Sequence, residues 1–201
     1  MENVLFINAC IRNNSVSRTY QLADYFRQEY QRRNIDCKIT ELDLKELPLA
    51  FLNNQRFEYR EALLEKQDYN NPYFELTRQF AQADKIMVAA PFWDLNFPAI
   101  LKVYLENICV PNITFKYTVG GTVGMCKAKK LLFITTRGGI YTIKDNCDFE
   151  MGSRYLRALC ALFGIKDYQC LYAEGLDIIG VDVQALMKEG LRKATELAVE
   201  F

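Results

Sequence analysis

Histidine is absent from this 201-residue chain. That absence excludes Ser-His-Asp and Cys-His nucleophilic catalysis, His-ligated zinc, His-ligated haem and any histidine general base. Net charge is absent too: 25 Lys and Arg balance 25 Asp and Glu, which gives no support to a nucleic-acid partner held by a strong overall positive field. No stretch approaches the roughly 18 continuous apolar residues of a membrane span. The Met-Glu-Asn start lacks the basic segment and cleavage site of a signal peptide. The seven cysteines (Cys10, Cys37, Cys109, Cys126, Cys147, Cys160 and Cys170) form no C-x-x-C pair, so zinc-ribbon and thioredoxin chemistry lose their main support. Free thiols in a reducing cytoplasm are expected instead. There is neither a G-x-G-x-x-G fingerprint nor a G-x-x-x-x-G-K-[ST] loop. Chemistry here needs other side chains or a borrowed cofactor.

Short apolar runs alternate with amphipathic segments. Val4–Ala9, Asp36–Leu44, Lys85–Ala90, Lys130–Thr135 and Lys166–Ala173 read as five strands. Helical patterns follow Ser17 and span 56–65, 72–83, 97–109, 150–163 and 181–200, the one at 56–65 as a short surface helix or ordered excursion. Residues 111–129 read as a long connection with Gly120, Gly121 and Gly124. Apolar strands alternating with helices predict an α/β protein, a three-layer sandwich with a parallel sheet covered on both faces. Five units match the flavodoxin-like order 2-1-3-4-5. With no repeat or linker, residues 1–201 are expected to form a single domain.

In such sheets ligands lie beyond the carboxyl ends of the strands, near the topological switch point. Three loops there carry unusual sequence. Ser15-Val16-Ser17 precedes a helix, whose free N–H groups and dipole suit an anion such as a terminal phosphate; ordinary helix capping explains the same serines. Phe92-Trp93-Asp94-Leu95 offers an apolar wall against which a flat heteroaromatic ring can pack, or a core cluster. Thr136-Arg137-Gly138-Gly139 offers either a tight turn or backbone N–H groups aimed at negative charge. Together they suit a flavin mononucleotide.

The segments Ala89–Phe97, Leu101–Leu105, Thr114–Thr118, Thr136–Gly139 and Ala173–Gly175 resemble those of the FMN-dependent NADH-azoreductases among the flavodoxin-like quinone reductases. The resemblance covers nearly the whole chain and is poorest over 48–71. It implies a homodimer with FMN at the subunit interface. Ser15, Val16 and Ser17 would hold the phosphate, with Cys10 where relatives often carry a Ser. Phe92, Trp93, Asp94 and Leu95 would line the ring, where the family commonly has Met-Tyr-Asn-Phe. Thr136, Arg137, Gly138 and Gly139 would meet its edge, and Tyr141 stands where some relatives have His.

The resemblance further implies a ping-pong NAD(P)H oxidoreductase passing two electrons to a quinone, azo or nitro acceptor. The cofactor carries that chemistry while the protein orients rings and tunes charge. Gly138 and Gly139 N–H groups are the candidates for stabilising charge on the reduced ring, and Tyr141 for moving a proton or serving as a lid. FAD in place of FMN, and NADH against NADPH, stay open at this level. So does a flavodoxin-like electron carrier or flavin-binding sensor without a turnover substrate, and a flavin-free interaction domain that kept the fold.

Overall fold

The computed structural model describes residues 1–201. Its main sheet contains β1 (Glu2–Asn8), β2 (Cys37–Asp43), β3 (Lys85–Ala89), β6 (Lys130–Thr136) and β7 (Asp167–Ala173). All pairings are parallel, in the order β2-β1-β3-β6-β7. This is the flavodoxin-like arrangement that the strand pattern predicts. The chain leaves β1 toward β2 on one side and returns to β3 on the other, so the switch point lies between β1 and β3.

The continuous apolar runs follow from burial on both faces. Leu5 and Ile7 of β1, Ile86 and Val88 of β3, and Leu131 and Phe133 of β6 point into one core layer. Val4 and Phe6, Met87 and Ala89, and Leu132 and Ile134 point into the other. Side chains alternate across a strand with period two, so every position of a doubly covered strand must be apolar. Helices α1 (Arg18–Arg33) and α6 (Val183–Glu200) close the second layer with Leu22, Phe26, Tyr30, Ala194 and Ala198. Helices α3 (Glu75–Gln82), α4 (Ala99–Ile108) and α5 (Met151–Phe163) close the first with Phe80, Leu101, Tyr104, Leu105, Leu156 and Phe163. Helix α2 (Asn54–Glu65) lies outside both layers; its Leu63 joins Phe74 and Val110 in a small satellite cluster. No helix is long and apolar enough to cross a membrane.

Two expectations need correction. The connection at 111–129 contains an antiparallel hairpin of β4 (Phe115–Thr118) and β5 (Gly121–Gly124). Its foot is fixed by close approach: a Cβ on Gly124 would lie 2.1 Å from the backbone of Phe163 and Gly164, so only glycine fits against the end of α5. The helix expected over 72–83 opens as a 3₁₀ turn, Pro72–Phe74, before α3. Asn71 caps that turn, its Oδ1 accepting from the Tyr73 N–H, and the proline fixes the first-turn φ.

Candidate active site

The strand register brings three chain exits to one edge. Asn8 pairs with Ala89, and Ala89 with Ile134. Past that line the loops stay tied to one another. The Ala9 N–H donates to the Ala89 carbonyl at 2.8 Å, Ala90 N–H to Ile134 at 3.1 Å and Phe92 N–H to Thr136 at 3.1 Å.

The first loop is folded by its own polar side chains. Asn13 Oδ1 accepts from the Ser15 N–H and hydroxyl, both at 3.1 Å, while its carbonyl accepts from the Val16 and Ser17 N–H groups. Ser17 is the N-cap of α1, accepting the Tyr20 N–H at 3.2 Å. Capping and anion binding are compatible here. The cap uses a lone pair of Ser17 Oγ and leaves its proton, and the N–H groups of Arg18 and Thr19 donate to no protein acceptor. Val16 is exposed at the loop surface. Cys10 is buried beneath it, its N–H on Asn8 Oδ1 and its thiol toward the Ala89 carbonyl. Burial pushes that thiol up to about 12, so it is a neutral packing group.

The second loop doubles back on itself. Trp93 and Asn96 exchange backbone hydrogen bonds at 2.7 and 2.8 Å around Asp94 and Leu95, whose φ values are 49° and 65°. Two consecutive left-handed residues make a type I′ turn, a geometry that favours Asn-Gly or Asp-Gly, so Leu95 is out of character. The turn leaves Trp93 and Leu95 exposed. Asp94 is also exposed and does not cap the next helix: α4 begins at Ala99, its N-cap is Pro98, and no side chain caps it.

The third loop closes on the exit of β7. Leu176 N–H donates to the Arg137 carbonyl, Asp177 N–H to Gly138 and Gly175 N–H to Gly139. A Cβ on Gly138 would stand 2.5 Å from Asp177 Oδ2, so any larger residue has to push that exposed side chain aside. The N–H groups of Gly138 and Gly139 donate to no protein acceptor. Tyr141 is half-buried and packs on Phe92 with ring centroids 4.5 Å apart. The Arg137 side chain is only 4% exposed and lies between Glu150 and Glu174 at 3.5 and 3.6 Å.

Ser17, Phe92, Trp93, Thr136, Arg137 and Gly138 line one cleft of about 160 Å³. Ser15, Val16, Asp94, Leu95, Gly139 and Tyr141 stand around it without lining it, and Cys10 lies below. Arg12, Arg18, Thr19, Leu176 and Asp177 line it as well, none of them anticipated from the sequence. Arg18 pairs with Asp177 at 2.9 Å across 159 positions, a relation with no local signature, although a cation beside an S-x-S loop is a readable hint. The donor set fits a phosphorylated flavin. Unused N–H groups, a hydroxyl proton and Arg12 collect at one end, apolar rings in the middle and unused glycine N–H groups at the other.

The chain matches the family described as having a flavodoxin-like fold over residues 2–198. It is 43% identical over its full length to the whole of an FMN-dependent NADH:quinone oxidoreductase from Clostridium perfringens (strain SM101 / Type A). The chain belongs to the flavodoxin-like FMN-dependent NADH:quinone oxidoreductase family. A second member, from Lachnoclostridium phytofermentans, is 40% identical with both chains covered completely. Among solved structures, an azoreductase from Bacillus anthracis str. Sterne superposes with a TM-score of 0.91 at 25% identity, each chain fully covered. An FMN-dependent NADH-azoreductase from Bacillus anthracis str. Ames Ancestor, in complex with FMN, gives 0.86 at 26% identity, with 100% of this chain and 99% of that one covered.

Proposed function

We propose that this protein is an FMN-dependent NAD(P)H oxidoreductase that passes two electrons to quinone, azo or nitro acceptors in ping-pong order. The observation that carries the reading is the convergence of three loops at one sheet edge, where the N–H groups of Arg18, Thr19, Gly138 and Gly139 have no protein acceptor, in a chain that matches quinone oxidoreductases from end to end. The α1 N-terminus, with Ser17, Ser15 and Arg12, would hold the phosphate. Phe92 and Trp93 would pack against the ring system, and the Gly138 and Gly139 N–H groups would face its electron-rich edge. Bound FMN would supply a reversible two-electron carrier, which none of the side chains lining the cleft provides. One open cleft then receives donor and acceptor in turn.

The reading includes a homodimer. A cleft of about 160 Å³ is smaller than the roughly 300–1,000 Å³ of ordinary cofactor pockets, and Trp93, Leu95, Tyr117 and Val119 are exposed apolar groups that a second copy would cover. It also includes one flavin-binding domain over residues 1–201 and a cytoplasmic location, supported by seven free cysteines. The test is the visible spectrum of the purified protein, before and after incubation with FMN, followed by NADH oxidation with and without a quinone. Flavin bound with quinone-dependent turnover is expected. Flavin without turnover makes the chain an electron carrier, and no flavin overturns the reading.

A further inference from the structure

Arg137 stands in the turn that meets the flavin edge in the reading above, yet its side chain faces the protein. The guanidinium lies 3.5 Å from Glu150 and 3.6 Å from Glu174, longer than hydrogen bonds, and its Nε has no partner. It sits over the Tyr172 ring at 4.9 Å and the Phe92 ring at 5.9 Å. A buried ion-pair cluster of this kind is weak evidence for stability, since apolar residues of similar volume often serve as well. What the two carboxylates hold is more informative.

Glu174 accepts the Tyr141 N–H at 3.0 Å and the Thr142 hydroxyl, which fixes the segment after Gly138 and Gly139. Glu150 accepts the Ser153 N–H with both oxygens at 3.1 Å and so caps α5. The next residue, Met151, donates its N–H to the Leu95 carbonyl at 3.0 Å, on the turn that carries Trp93. We infer that Arg137 is a positioning residue whose guanidinium holds Glu150 and Glu174 together and thereby sets the aromatic wall and the glycine turn at their working separation. This assignment rests on the function proposed above and adds the device that prepares its site. Without the shared cation, a buried and a half-buried carboxylate repel, and each is attached to a different wall of the cleft. Lysine supplies the charge but not the planar fork that spans both.

The test uses the single tryptophan as a reporter in flavin-free protein, and FMN titration of the same samples. Arg137→Lys should fold with wild-type helix content, while Trp93 emission and its quenching by acrylamide shift and FMN binds at least tenfold more weakly. Glu174→Gln keeps an acceptor for the Tyr141 N–H and leaves one carboxylate to balance Arg137. It should fold and show the same spectral shift with a smaller loss, about three- to tenfold. Unchanged Trp93 emission and FMN affinity in folded Arg137→Lys overturns the inference. If Arg137→Lys does not fold, an unchanged Glu174→Gln overturns it equally, leaving Arg137 a packing residue. The wild-type titration separates the two claims: wild-type protein that binds no FMN contradicts the proposed function, whereas the emission comparison in flavin-free protein reads the positioning by itself.

Discussion

The hydroxyls of Thr19 and Thr136 lie 2.5 Å apart, joining the first turn of α1 to the end of β6. One hydrogen bond thus connects the α1 end of the cleft to the glycine turn. Thr19 is 1% exposed, so losing its partner leaves a buried hydroxyl unpaired. Thr136→Val should cost about 1–2 kcal/mol by urea denaturation, and the Thr19→Val/Thr136→Val pair clearly less than the two single changes added together. Additive losses would mean that the contact contributes nothing of its own.

Ser15 and Ser17 separate capping from phosphate binding. Ser17→Ala removes the α1 cap and should lower stability by about 1 kcal/mol as well as weaken FMN binding. Ser15→Ala loses only a local bond to Asn13 at an exposed position. It should leave stability unchanged while weakening FMN binding by about 1 kcal/mol or more. Chemical denaturation and flavin titration read the two quantities. Ser15→Ala with unaltered FMN affinity reduces that serine to loop structure.

Much of this architecture was legible because a doubly covered sheet leaves a strong imprint. Val4–Ile7, Ile86–Ala89 and Leu131–Ile134 are apolar at every position, and few other arrangements require that. The β4–β5 hairpin left no such mark. Its strands are four residues each and Tyr117, Val119 and Val123 face outward, so neither alternation nor burial betrays it. At the site, Ser17, Phe92, Trp93 and Gly138 were readable from their place after strands. Asp177 was not, because it reaches the cleft from the loop after β7, closing over Gly138. The burial of Arg137 was hidden for a different reason: arginine is ordinarily a surface residue, and its two partners lie 13 and 37 positions away.

Leu95 carries strain that a glycine would not. A branched side chain at φ 65° costs about 1–2 kcal/mol, partly offset on substitution by the roughly 0.5–1 kcal/mol entropic cost of glycine. Because Leu95 is 43% exposed, little packing is lost with it. Leu95→Gly should therefore raise the urea midpoint slightly while FMN affinity falls through loss of the apolar rim. A lower midpoint would show that its side-chain contacts outweigh the backbone strain.

The pH dependence has one definite contributor. Lys127 at 2.7 Å, and then the Asn3 N–H at 2.9 Å, hold the Asp84 carboxyl below its ordinary value. A folded-state pKa lower than the unfolded one stabilises the protein above the unfolded value, about 3.9, and that stabilisation disappears as pH falls through the folded value. Solvent screening of this partly exposed pair limits it to about 1 kcal/mol or less. Asp84→Asn should be less stable than the parent at pH 7, with the gap closing as the carboxylate protonates in acid. A gap that stays constant with pH would show that the ion pair does not contribute to stability.

In the proposed ping-pong cycle, one cleft serves electron donor and acceptor in separate half-reactions. The measurement is anaerobic absorbance of the flavin-loaded protein on adding one equivalent of NADH, then one of a benzoquinone. The visible flavin band should bleach with NADH alone and return when quinone is added, with no ternary complex needed. A band that stays unchanged until both are present, or that bleaches and does not return, contradicts it.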